Sequence, residues 1–395
     1  MSTGEFWGRR GVLPVVLLAA TLLRLPAVFL AHGEPDEEIY LALARSVWDR
    51  GLGQGYTLRG SPVLADLPAE MYDKPIFHHP PGYVLLLAPF VRVAGTAGAA
   101  AGNVACGVAL IALLHSFARR RYGAERAGIA AAVAAACPVL GFVAGRVWMD
   151  GPLALATVLG LWAWQWALAG RSPARYALAG LAAAAALLIK LPAVLAAPVY
   201  LLMGFEALRD GNRRERWIGA AVFIAAATAA ALPWFLWFRA ETGRFLPDYL
   251  RPTPALLEAY PFMAEVTSRA PYYFLVILPV CAPLYVLAFR GMVDAWRRDR
   301  DALPAVWALG LLATATWLSW SGFGFQMRFL TPALPGFALA TAAVGDAWTR
   351  ARRIQFGAFA AFGLATFAAN AWFVPGIDDV FSLPQLLMGW LEGNL

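Results

Sequence analysis

Apolar runs close to the roughly 20 residues that a helix needs to cross a bilayer recur from one end of this chain to the other. Inside lipid the backbone finds no outside hydrogen-bond partner, so such runs must satisfy themselves as helices. Only 14% of the 395 residues are charged, where a soluble chain carries roughly 25%. The expected fold class is therefore an all-α polytopic membrane protein. Spans are read at 12–31, 98–118, 125–144, 150–169, 174–190, 191–205, 217–238, 272–289, 303–319, 329–345 and 355–374, about eleven in all. The first is longer than the roughly 7–15-residue core of a signal peptide and is read as an anchor with its N-terminus in the cytoplasm.

Residues 82–94 are apolar but supply too few positions for a bilayer core roughly 30 Å thick. They are read as a helix lying at the interface. Every basic loop then falls on one side, with 19 arginines against 9 acids. The remaining loops, at 32–97, 145–150, 239–271 and 320–328, hold an excess of acid. That asymmetry marks the basic side as cytoplasmic. It also explains the net charge of +7 without nucleic acid, which is not expected as a partner. Cys106, Cys137 and Cys281 are odd in number, lie in apolar segments and read as small core residues.

Chemistry is expected on the outer side. Glu34-Pro35-Asp36-Glu37-Glu38 places four carboxylates where the first span stops, and a helical pattern through Ile39, Tyr40, Leu43 and Val47 follows at once. Acids at a membrane edge repel one another or lose solvation unless a cation, a proton or a substrate uses them. The plainer reading is a solvated acidic cap on the next helix. Arg24 and Lys190 are nearly the only ionisable groups inside spans. Sixteen Trp, including Trp162, Trp164 and Trp166, read mostly as interfacial or lipid-facing residues. The Ala-rich runs at 130–136 and 182–186 read as sites of close helix approach.

Together these motifs resemble the GT-C glycosyltransferases: protein O-mannosyltransferases, aminoarabinose transferases and RgtA/B/C/D-like enzymes. The resemblance rests on Asp36-Glu37, on Asp73-Lys74-Pro75 or His78-His79-Pro80-Pro81-Gly82-Tyr83, and on Arg146-Val147-Trp148-Met149-Asp150. Leu188-Ile189-Lys190-Leu191-Pro192, Glu265-Val266-Thr267-Ser268-Arg269 and Arg328-Phe329-Leu330-Thr331-Pro332 extend it. It implies a GT-C catalytic domain over 1–374 with juxtamembrane helices in a first outer loop at 32–97, and a short outer tail at 375–395. It implies transfer of a sugar, with inversion, from a polyprenyl-phosphate carrier to a cell-envelope acceptor at the outer face of a bacterial-type inner membrane. The chain shows no Gly-rich phosphate loop for a nucleotide sugar.

By the same resemblance Asp36 is the base and Glu37 orients it or the acceptor. Asp150, Tyr40 and Arg146 contact acceptor or sugar, and Lys74, His79, Arg269 and Arg328 hold the donor phosphate. Lys74 and His79 belong to competing alignments, and both stay open. No cofactor is firmly implied. Val266 stands where aminoarabinose transferases have a metal-ligating His, leaving Asp73 and His78 as the candidate ligands of a divalent metal. Two other classes stay in view: a flippase for the lipid-linked sugar, and a non-catalytic lipid-binding subunit. A flippase would use carboxylates at mid-bilayer and repeated halves.

Overall fold

The computed structural model describes residues 11–29, 35–59, 75–209, 213–247, 286–318 and 327–344, with 357 and 361. All regular structure among them is helical. The chain divides into two compact units, one of Met1–Leu30, Gly107–Gly145 and Phe262–Leu395, the other of Ala31–Cys106 and Arg146–Pro261.

Five helical segments are long and apolar enough to cross a membrane, or six if one bent pair counts as a single span. The expected count of about eleven is not reached among the described residues. Pro173–Ile189 is apolar but only 17 residues long. Leu303–Leu318 offers a still shorter apolar stretch. The span expected at 272–289 is described only from 286, and 355–374 lies almost wholly outside the described residues.

In the first unit, α1 (Val12–Arg24) continues as the 3₁₀ turn Leu25–Phe29. The span expected at 125–144 is two helices, α5 (Ala124–Ala135) and α6 (Pro138–Gly145), meeting at 59°. Pro138 has no amide to donate back into α5, so the helix breaks there and restarts. Arg24, read from sequence as an isolated charge within a span, caps this break. It is 1% exposed, and both its terminal nitrogens donate to the Ala135 carbonyl at 3.2 Å. A guanidinium at the negative end of α5 replaces the hydrogen bonds lost at the bend.

The unit is completed by α11 (Val286–Asp299), α12 (Leu303–Leu318) and α13 (Leu334–Ala342). Trp307 is wholly buried, its indole N–H donating to the Pro332 carbonyl at 2.9 Å. Two basic loops assigned to one side meet here. Arg121 pairs with Asp301 and Arg126 with Asp299, each at 2.8 Å.

The second unit holds α2 (Pro35–Arg50), the short turn α3 (Leu52–Gly55), the start of α4 (Gly82–Tyr122), α7 (Asp150–Gly170) and α8 (Pro173–Ile189). The 3₁₀ turn Leu191–Ala196 leads into α9 (Ala197–Arg209) and α10 (Arg213–Thr242). The helical run α4 is interrupted at Ala94 and Gly95, where Gly95 takes φ 59° and ψ −140°. That break falls where the sequence separates residues 82–94 from the span at 98–118. An added Cβ at Gly98 would strike the Phe90 carbonyl, so the two halves fold back on each other. Small residues likewise set the α8–α10 contact, since a Cβ at Gly180 would meet the Phe223 carbonyl and Ala226. Trp164 departs from the lipid-facing expectation. It is 5% exposed, packs on Tyr176, Tyr200 and Phe223, and donates to the Tyr200 carbonyl at 3.1 Å.

Replacing Arg24 with Met keeps the apolar stem but leaves the Ala135 carbonyl without its cap. The expected loss is about 1–3 kcal/mol, read as a lower thermal midpoint in detergent. Burial raises the Asp301 carboxyl, but the hydrogen bond and charge of Arg121, with the Leu303 amide, outweigh it and hold the group below the usual carboxylate range. Its stabilising contribution is therefore present above about pH 4 and lost as pH falls through the lowered value. Asp301→Asn should flatten that acid limb in melting curves taken across pH; an unchanged limb counts against the pairing.

Candidate active site

Three consecutive acids open α2, and the structure puts each in a different environment. Glu37 is 0% exposed, Asp36 is half-buried and Glu38 is exposed. All three lie in the first helical turn, where unpaired amides favour negative charge. A fully buried carboxylate costs several kcal/mol unless hydrogen-bonded. Glu37 meets that cost across the fold: the Val147 amide donates to its Oε1 at 2.8 Å and Arg146 Nη1 lies 3.5 Å from its Oε2. The amide is the closer partner, and Arg146 adds charge.

The turn carrying Arg146 and Val147 is held from below. Asn103, 1% exposed within an apolar stretch of α4, donates to the Trp148 carbonyl and the Tyr83 hydroxyl at 3.0 Å each, and to the Arg146 carbonyl. Two residues past Trp148, Asp150 begins α7. Its Oδ1 accepts from Lys190 Nζ at 2.8 Å, with side chains only 3% and 9% exposed. Lys190 is not a mid-span residue. It ends α8 in an extended conformation, φ −158° and ψ 133°, and Pro192 stops the helix from continuing. Through Asn103, Tyr83 is tied to the same turn that holds Glu37 by its Val147 amide and runs on into Asp150.

The His-Pro-Pro segment leads into this cluster. The Pro81 carbonyl accepts the first helical bond, from Leu85, at 2.9 Å, and α4 begins at Gly82. A Cβ at Gly82 would lie 2.6 Å from the Leu188 carbonyl, so glycine lets the start of α4 rest on the chain just before Lys190. The His79 carbonyl accepts from the Tyr56 hydroxyl at 2.8 Å. The His78 and His79 rings lie 4.3 Å apart, both beside Phe77. Tyr40 is 5% exposed and packs edge-on against Tyr83 at 5.1 Å and Phe77 at 6.2 Å.

Of the sequence-expected residues, Asp36, Glu37, Tyr40, His78, His79, Arg146 and Asp150 fall in one unit. Arg328 is half-buried in the turn Met327–Leu330 of the other. Asp73, Lys74 and Arg269 lie outside the described residues. Among the described residues no three His, Cys, Asp or Glu side chains gather as metal ligands, so His78 has no such set around it. Sequence reasoning missed Asn103, signalled only as a lone amide in an apolar run, and the pairing of Lys190 with Asp150.

Glu37→Ala should leave the Val147 amide without its acceptor and lower stability by about 1–3 kcal/mol, measured by thermal unfolding in detergent. Lys190→Met alone should cost more, about 3–5 kcal/mol, because it strands a buried charge. Adding Asp150→Leu to it should recover much of the loss. Additive losses would show that the two side chains do not interact.

Residues 78–237 match the family profile described as dolichyl-phosphate-mannose-protein mannosyltransferase. No curated protein matches the chain. Among solved structures, ArnT from Cupriavidus metallidurans bound to undecaprenyl phosphate aligns at TM-score 0.66 and 18% identity, over 96% of this chain and 68% of that one. The Archaeoglobus fulgidus oligosaccharyltransferase in its apo form aligns at 0.60 and 16%, over 94% and 55%. AglB from the same organism, in complex with an inhibitory peptide and a dolichol-phosphate, aligns at 0.56 and 14%, over 98% and 54%. The chain thus spans about two thirds of ArnT and about half of the oligosaccharyltransferase. It is an all-α, multi-pass membrane protein with the GT-C glycosyltransferase fold.

Proposed function

We propose that this protein is a membrane glycosyltransferase that moves a sugar from a polyprenyl-phosphate carrier to an extracytoplasmic cell-envelope acceptor. One observation carries the reading: Glu37 is fully buried on the Val147 amide, and its neighbour Asp36 at the same helix start is only half-buried. A carboxylate in that position can take a proton from an acceptor held beside it.

In the proposed step Asp36 accepts the acceptor's proton as its oxygen or nitrogen bonds to the anomeric carbon. The bond from that carbon to the carrier phosphate breaks with inversion, and the polyprenyl phosphate leaves with the electron pair. Glu37 sets the rotation of α2. Asp150 and Lys190 hold the second loop, which carries Arg146, and His79 is the described candidate for the phosphate. Lys74 and Arg269 keep their proposed phosphate roles from sequence. Tyr40 supports the floor through Tyr83. On this reading the protein lies in a bacterial-type inner membrane with its N-terminus cytoplasmic and this site outside.

The similarity of residues 78–237 to the dolichyl-phosphate-mannose-protein mannosyltransferase profile, together with a fold shared with ArnT bound to undecaprenyl phosphate, supports the donor class. Asp36→Asn should lower transfer from a radiolabelled polyprenyl-phosphate sugar by roughly 10²–10⁴-fold with little change in thermal midpoint. Full transfer by that variant would remove Asp36 as the base. Movement of intact carrier across vesicles without transfer would remove the enzyme reading altogether.

A further inference from the structure

A groove of about 340 Å³ runs between α7, α8, α9 and α10, within the second unit and away from the carboxylate cluster. That volume falls within the roughly 300–1,000 Å³ usual for ligand sites. Trp164, Tyr200 and Phe223 form its inner wall. Its rim residues Leu201, Phe205, Trp217 and Ile224 are each more than half exposed, so the groove opens on an apolar face that a membrane would bathe in hydrocarbon. An open apolar groove in a membrane fills with hydrocarbon, since its walls have no use for water. A hydrocarbon chain suits the interior.

One charge lines this otherwise apolar space. Arg216 is 9% exposed; its Nη1 donates to the Leu168 carbonyl and to the Tyr176 hydroxyl at 3.3 Å. Its Nε is buried with no hydrogen-bond partner among the described residues. Around this end stand Arg171, Arg175, Arg209, Arg213 and Arg214, opposed by Glu206 and Glu215. The excess is strongly positive. Leu168 lies 18 residues along α7 from Asp150, about 27 Å at 1.5 Å per residue. A phosphate at Arg216 is therefore separate from the donor phosphate of the proposed reaction.

We propose that this groove binds an anionic phospholipid, its acyl chain against Trp164, Tyr200 and Phe223 and its phosphate at Arg216. Basic pockets between membrane helices recognise acidic head groups in this way. The site is independent of the transfer reaction and holds a resident lipid at the Arg-rich end of the helices.

The test uses the full chain reconstituted in phosphatidylcholine discs containing phosphatidylglycerol, with retained lipid counted by native mass spectrometry. Wild type should retain phosphatidylglycerol over phosphatidylcholine by at least about fivefold, the worth of one Arg near an acidic surface. Arg216→Gln should erase that preference, whereas Arg214→Gln, at the exposed surface, should keep it. Gly204→Leu fills the groove without touching charge, since a Cβ at Gly204 meets Trp164 at an ordinary 3.6 Å. It should lower retention of both lipids while the protein still elutes and melts as a folded monodisperse species. No head-group preference in wild type would overturn the proposal. So would equal effects of the Arg214 and Arg216 changes, or displacement of phosphatidylglycerol by polyprenyl phosphate added in equal amount.

Discussion

The buried carboxylate of Glu37 is the interaction on which the site depends. Successive helical residues point about 100° apart. Once Glu37 faces inward onto the Val147 amide, Asp36 and Glu38 must take the flanking directions. One hydrogen bond at 2.8 Å therefore sorts three adjacent acids into anchor, reachable group and solvated group. The cost of burying the anchor is offset by an amide, a guanidinium and the amino end of α2. Without that offset α2 would be free to turn, and no single acid would be presented to a ligand.

A second device recurs in both units and explains why the chain favours arginine. Arg24 caps the Ala135 carbonyl at the end of α5, Arg216 the Leu168 carbonyl near the end of α7, and Arg298 the Ala343 carbonyl just beyond α13. Each sits at the negative end of a helix whose last carbonyls lack intrahelical partners. In an apolar molecule water is a poor substitute, and a planar guanidinium can serve one carbonyl with two nitrogens while its stem stays among hydrocarbon. Arg216 and Arg298 thus give two of the basic loops a second role as stoppers of helices.

Much of the architecture was legible along the chain. The apolar runs among the described residues are helices, and the shortness of 82–94 anticipated the break at Ala94 and Gly95. Span integrity was less legible. A run of adequate length between 125 and 144 proved bent, because Pro138 withholds one amide at its middle. The number of spans, read as about eleven, is five or six among the described residues; the runs read at 272–289 and 355–374 lie mostly outside them. Trp164 illustrates a related gap. Aromatic side chains suit both lipid and protein interiors, and only its neighbours Tyr176, Tyr200 and Phe223 decide between them.

By itself the sequence determined the class of the protein, the clustering of its arginines and the pool of acids from which a site could be drawn. These follow from composition and local spacing, which the bilayer reads one segment at a time. Which acid is buried, which remains reachable and which cation answers Asp150 were decided only by tertiary structure. Glu37 and Val147 are 110 residues apart in the chain, as Asp150 and Lys190 are 40 apart. A carboxylate's environment depends on what folds against it, and no local pattern records a meeting at that distance.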